Sequence, residues 1–141
     1  MKAIFWTWKY TAAGAISAAW LATAGALAQQ DALVSTWTAR VPGQTFPIEI
    51  RLQILPAGQF QQDLQSGSDA CGHVMTVGKY RLLQSPNTYR FDISDQVPKI
   101  DCLGHPIVQQ LGWTVQLSLI NPNTLVWHDL QTGASLNLSR Q

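Results

Sequence analysis

Charge is scarce in this chain. Among 141 residues there are nine Lys and Arg, eight Asp and Glu and three His, and Glu49 is the single glutamate. The few cations are scattered, so the clustered Lys and Arg with which proteins neutralise phosphates are missing. The sequence therefore argues against a nucleic-acid partner. No Gly-x-Ser-x-Gly elbow occurs, and no second motif completes a catalytic triad around the Ser and Asp of "SGSDACG", residues 66–72. Beyond residue 30 no window carries a 3.6-residue apolar period between helix caps, and only "PIVQQL", 106–111, has the makings of one short helical turn. What is present is alternation, turn residues and aromatic rings.

The first 28 residues differ from the rest. Lys2 and Lys9 stand in or ahead of an Ala-rich apolar stretch that runs to Leu27, and Ala26-Leu27-Ala28 has the small-x-small form that signal peptidase accepts. From Thr11 the stretch is near the minimum length for spanning a bilayer, but Ala, Gly, Thr and Ser dilute it, which favours a cleaved leader over a retained anchor. The expected product starts at Gln29, has no membrane span and is periplasmic or secreted. Cleavage removes two of the nine basic residues and none of the eight acids, leaving a net charge of −1 on residues 29–141. That length makes one domain with a single core.

Within it, "PIEIRLQIL" sets Ile48, Ile50, Leu52 and Ile54 on one face and Glu49, Arg51 and Gln53 on the other. This is the period of a half-buried antiparallel strand. "GWTVQLSLI" repeats it with Trp113, Val115, Leu117 and Leu119, and "TYRFDIS" with Tyr89, Phe91 and Ile93. Counting runs between turn signals predicts eight strands, near 33–40, 47–55, 58–64, 74–84, 88–95, 112–120, 124–130 and 134–140. Two phrases are near twins, "RLLQSPNTYRFD" and "SLINPNTLVWHD", and "QILPAGQFQQD" is a looser third. Each reads as a hairpin with a tight turn at its centre. Gly78, in the middle of a long strand, marks a bend or a bulge.

Both cysteines, Cys71 and Cys102, fall in the exported part, where thiols oxidise and pair. Residues opposite each other in an antiparallel hairpin have a constant index sum: about 171 or 172 for the hairpin turning at Ser85–Asn87, against 173 for the two cysteines. The expected bridge staples the open end of that hairpin. Its chain-entropy contribution is roughly 3.5 kcal/mol.

Eight short antiparallel strands close most economically into an up-and-down barrel, with a two-sheet sandwich as the alternative. The all-β barrel is favoured by one residue. Leu136, Leu138 and Arg140 share a parity, so a cation is aimed where the core phase points, and on closure Trp37 of the first strand offers it an aromatic face. In this the chain resembles the lipocalin and calycin group of barrels, whose signature is a Gly-x-Trp on the first strand packed across an arginine from the last. Ser35-Thr36-Trp37 with Arg140 matches the Trp and the Arg, while Ser stands in place of Gly. The resemblance implies a compact barrel that binds a small apolar ligand.

His73 and His105 follow the cysteines in "CGH" and "CLGH", yet the spacing fits no zinc-ribbon or finger pattern, and an oxidised cysteine is not a ligand. No metal and no cofactor is expected. His128 and Asp129 are adjacent on a strand and point to opposite faces, which argues against an acid-base pair, and no catalytic residue is assigned. Phe60, Tyr80, Tyr89, Phe91, Trp113 and Trp127 either fill the barrel or line a cavity, as rings do in the calycin group. Phase selects Phe91, Trp113 and Leu117 as ligand-lining residues, with Trp113 at a strand start, where a mouth lies. The expected function is non-catalytic binding, either of a slender apolar ligand such as an acyl chain or of a secreted or periplasmic protein, for example a hydrolase gripped by the loops 65–73 and 96–111.

Overall fold

All eight extended runs fold as strands. The computed structural model describes residues 31–67, 70–108 and 111–141. The leader assigned to residues 1–28 lies outside them. The strands are β1 (Ser35–Val41), β2 (Ile48–Leu55), β3 (Gln59–Ser66), β4 (His73–Leu82), β5 (Thr88–Val97), β6 (Gly112–Asn121), β7 (Thr124–Asp129) and β8 (Ser135–Arg140). Each pairs antiparallel with the next, and β8 returns to β1, closing the barrel. Closure through Trp37↔Arg140 and Thr38↔Ser139 rules out the two-sheet sandwich. The first strand starts later than the sequence suggested, because Asp31–Leu33 are helical.

The topology gives the barrel two unlike ends. At the hairpin end are three tight turns, 56–58, 83–87 and 122–123. The open end carries the connections 42–47, 67–72, 98–111 and 130–134. The twin phrases make hairpins by different means: Asn87 takes a left-handed conformation (φ 57°), whereas in the second copy the Asn121 side chain accepts the Asn123 amide at 2.9 Å. Asn suits both devices, since it tolerates positive φ and caps its own backbone. In the looser copy, Ala57 adopts φ 63° ahead of Gly58 at φ 72°.

Gly78 is indeed at a bulge. Gly78↔Ile93 has an index sum of 171 and Val77↔Asp95 one of 172, so Ser94 is the extra residue. A Cβ at Gly78 would overlap the Asp92 carbonyl oxygen and press on the Phe60 ring at 2.9 Å, so only glycine lets β4 approach β5 this closely. The shift carries the hairpin toward the cysteine sum of 173, and Cys71 and Cys102 are bonded with their Cα atoms 5.5 Å apart. It also reverses the phase of β5. Beyond Ser94, Gln96 is buried and Val97 is turned out.

Trp37, Leu52, Ile54, Phe60, Tyr89, Phe91, Val115, Leu117, Leu125 and Leu138 form the buried interior. Full burial of a large apolar side chain contributes about 1.5–3 kcal/mol, so these inward rows are the main source of the fold's stability.

Candidate functional site

Aromatic rings meet in the middle of the barrel. Phe91 is the hub: its centroid lies 5.0 Å from Phe60, 5.5 Å from Tyr80 and 5.0 Å from Trp127. Trp113 packs 6.0 Å from both Phe60 and Trp127, nearly perpendicular to the latter. Such edge-on arrangements bring the positive rim of one ring to the negative face of another, beyond the burial of area. Together the rings make a plug. Below it, toward the hairpin end, Tyr80 donates its hydroxyl to the Leu55 carbonyl at 3.1 Å.

Above the plug the interior is not filled. A cavity of about 210 Å³ lies at the open end, lined by Ile50, Leu52, Gln62, Leu64, Trp113, Trp127, Asp129, Leu136 and Leu138. Every one of these residues has the inward parity of its strand. Trp113, Trp127 and Asp129 are half-buried, which places them at the entrance. Gly112 lets β6 begin there: its φ of 146° suits glycine alone, and a Cβ would overlap the Phe91 carbonyl oxygen.

Beside the cavity runs a polar row. Gln62 is the register partner of Thr76, and Thr76 of Gln96, so three neighbouring strands turn polar side chains inward at one level. Thr76 and Gln96 are 5% and 6% exposed. Across the mouth, Asp129 ends β7 and organises the next turn, its Oδ1 accepting the amides of Gln131 at 2.7 Å and Thr132 at 3.2 Å. Four other aspartates have basic neighbours: Asp63 pairs with His73, Asp92 with Arg81 and Arg90, Asp95 with Lys99 and Asp101 with His105. Asp129 has no Lys, Arg or His within ion-pair distance among the described residues.

Of the three residues selected by phase, Trp113 lines the cavity. Phe91 and Leu117 are fully buried in the packed core, Phe91 at the centre of the ring cluster and Leu117 two inward positions deeper along β6. Trp127, Asp129 and Gln62 were not selected. Their signal was present: Trp127 and Asp129 share the parity of Leu125, and Gln62 that of Phe60. At the opposite end, the Arg140 guanidinium carbon stands 4.6 Å from the Trp37 ring centroid, and its Nε donates to the Pro122 carbonyl at 2.7 Å.

No family model matches the chain, and a search of curated proteins finds no match. The architecture stands as an eight-stranded meander barrel with a buried aromatic cluster, and the disulfide points to an oxidising, extracytoplasmic setting.

Apolar side chains crowd the rim of the open end. Phe46, Val97, Ile100, Leu103, Val108, Leu111 and Leu130 belong to it, against Leu55, Leu82 and Ile120 at the hairpin end, and Leu103, Val108 and Leu111 are each more than 80% exposed. The long connection that carries most of them is hydrogen-bonded to itself over residues 99–107. Ile100 bridges Pro106, the Ile107 amide bonds the Lys99 carbonyl, and Asp101 Oδ1 accepts the amides of Leu103 and His105. Residues 99–107 thus form a small hairpin whose turn amides Asp101 satisfies locally, and residues 109–110, inside the helical turn expected from "PIVQQL", lie outside the described residues.

A broader depression of about 730 Å³ lies on the outer wall, lined by outward residues including Thr38, Arg40, Glu49, Arg51, Asp63 and His73. Three of its polar groups are mutually engaged: Asp63 accepts from Gln61 at 3.0 Å on one oxygen and meets His73 Nε2 at 3.0 Å on the other. His128 Nδ1 lies 2.7 Å from Ser135 Oγ on the same outer wall, with Asp129 on the inner side. The sequence "WHD" therefore gives no Ser-His-Asp line.

Proposed function

We propose that the chain is an exported, non-catalytic binding protein that holds a small, largely apolar ligand or ligand group at the mouth of its barrel, as the calycin resemblance implies. The observation that carries this reading is the 210 Å³ cavity above the aromatic plug, walled by two tryptophans, four leucines and an isoleucine. Its size narrows the ligand. An apolar cavity of roughly 150 Å³ suffices for benzene, and drug-sized ligands occupy about 300 Å³ or more, so this one takes a group slightly larger than one ring. The plug leaves no tunnel for a long acyl chain, so only the end of such a chain is held. Burying about five methylenes contributes roughly 4 kcal/mol, near millimolar affinity. Tighter binding draws on the rim.

Native mass spectrometry of protein from its own host, with tryptophan-fluorescence titration against short apolar ligands, tests the reading. A co-purifying ligand and a signal lost in Trp113→Leu support it. Silence in both defeats it.

The exposed rim favours a second reading, a protein partner docked on the stapled loops, since large apolar patches on soluble proteins mark interaction sites. Leu103→Ser with Val108→Ser separates the two. These changes abolish binding of a protein partner and leave the mouth ligand bound.

A further inference from the structure

We infer that the group held in the mouth is an organic cation, an ammonium on a short apolar stem. This rests on the ligand-binding reading above and adds the sign of the ligand's charge. Three features of one cavity converge on it. The indoles of Trp113 and Trp127 both line the space, and indole is the best of the aromatic rings at attracting a cation. Asp129 lines the same space and, unlike Asp63, Asp92, Asp95 and Asp101, has no basic neighbour among the described residues. The remaining wall is Ile50, Leu52, Leu64, Leu136, Leu138 and Gln62, which suits an alkyl stem and offers one neutral polar side chain.

The geometry of Asp129 is consistent with a second duty. Its turn bonds both fall on Oδ1, so the turn does not use Oδ2. A carboxylate half-withdrawn from water beside indoles attracts a cation more strongly than one in bulk solvent, because the local dielectric is lower. An anion meets the opposite conditions, a carboxylate and the negative ring faces, and is disfavoured.

A free amine and a lysine side chain offered by a partner protein share this chemistry. Titration of the exported protein with butylammonium, with butanol and with a Leu-Lys-Leu peptide, read by tryptophan fluorescence and calorimetry, tests the inference and separates the sources. Butylammonium should bind at least about tenfold more tightly than butanol. A peptide that binds about tenfold more tightly still assigns the ammonium to a protein that also covers the rim, and parity with butylammonium assigns it to a small molecule. Asp129→Asn keeps an oxygen for both turn amides and removes the charge. It should weaken butylammonium about five- to tenfold, leave butanol unchanged and leave the melting temperature unchanged. Raising the salt concentration on the unaltered protein gives the same contrast without a substitution, weakening the cation alone. Equal affinity for butylammonium and butanol overturns the inference while the apolar-ligand reading stands. Failure of both to bind overturns the two together.

Discussion

Replacing Arg140 tests how the barrel is sealed. The β1–β8 seam has two register pairs, where β1 and β2 share seven, so side chains must contribute more there. Arg140 makes one link across this seam, to Trp37, and two to the 122–123 turn. Its backbone amide bonds the Asn123 carbonyl at 2.9 Å, its Nε bonds the Pro122 carbonyl, and its guanidinium covers Trp37, which has no exposed surface. Arg140→Ala keeps the backbone link and removes the other two. A cation over an aromatic face is worth about 0.5–2 kcal/mol, and a charged donor to a carbonyl adds about 1 kcal/mol when partly exposed. The expected loss is about 1–3 kcal/mol, a fall in melting temperature of about 4 °C for each kcal/mol. Urea unfolding with an unchanged slope measures it, and a red-shifted indole emission reports the uncovering of Trp37. Arg140→Lys keeps the charge but has no planar group to lie on the ring and no Nε fork, so it should recover less than half of the loss. A loss within about 0.5 kcal/mol for Arg140→Ala, or full recovery by Lys, refutes the argument.

Three other perturbations act on the disulfide, the bulge and the buried Tyr89. Converting Cys71 and Cys102 to Ala should cost about 3.5 kcal/mol in chemical denaturation and make the 98–111 connection the first site cut by protease, since the bridge closes a sequence separation of 31. Gly78→Ala should lower stability by about 2–4 kcal/mol in thermal unfolding, because the added methyl meets the Asp92 carbonyl and β4 has to move away from β5. Burial, followed by the neighbouring Tyr80, raises the pKa of Tyr89, so the folded protein holds that proton more tightly than the unfolded chain. The resulting stability is fully present below about pH 10 and is lost as pH rises beyond it, and Tyr89→Phe should flatten that alkaline limb in pH-dependent unfolding.

Much of the scaffold was legible because one face of each strand is wet and the other dry, so period two reports inside against outside directly. Closure was legible for a different reason. An arginine in the core phase of the last strand makes sense only if another strand lies across it, and Trp37 on β1 supplies the partner. The bulge was legible in its glycine but not in its consequence, since nothing in the composition near Ser94 announces that Gln96 goes in and Val97 comes out. The site was half-legible. Phase cannot give depth along the barrel axis, so Phe91, Leu117 and Trp113 looked equivalent although Phe91 lies within the plug and Leu117 below it. Depth follows from the strand's position relative to its turns, and by that measure Trp127 and Asp129, at the open end of β7, belong with Trp113.

That axis also separates what holds the barrel together from what it presents. The hairpin end has tight turns, the Tyr80 hydroxyl tied to Leu55 and the Arg140 seal, and its exposed apolar residues are few. The open end has long connections, the disulfide and most of the exposed apolar side chains. A disulfide placed only for stability gains most by closing the longest loop, whereas this one joins the two connections flanking the mouth. Its local effect is on geometry. Leu103, next to Cys102, and the small hairpin organised by Asp101 are held at fixed positions while still exposed to water. Apolar side chains on an untethered loop would fold onto one another or into the cavity and would have to be separated again on binding. Holding them apart in advance reduces that ordering cost. On the proposed binding reading, the same constraint would keep the entrance to Trp113 and Trp127 open, and the rim and the cavity would act as one preorganised end on a barrel stabilised elsewhere.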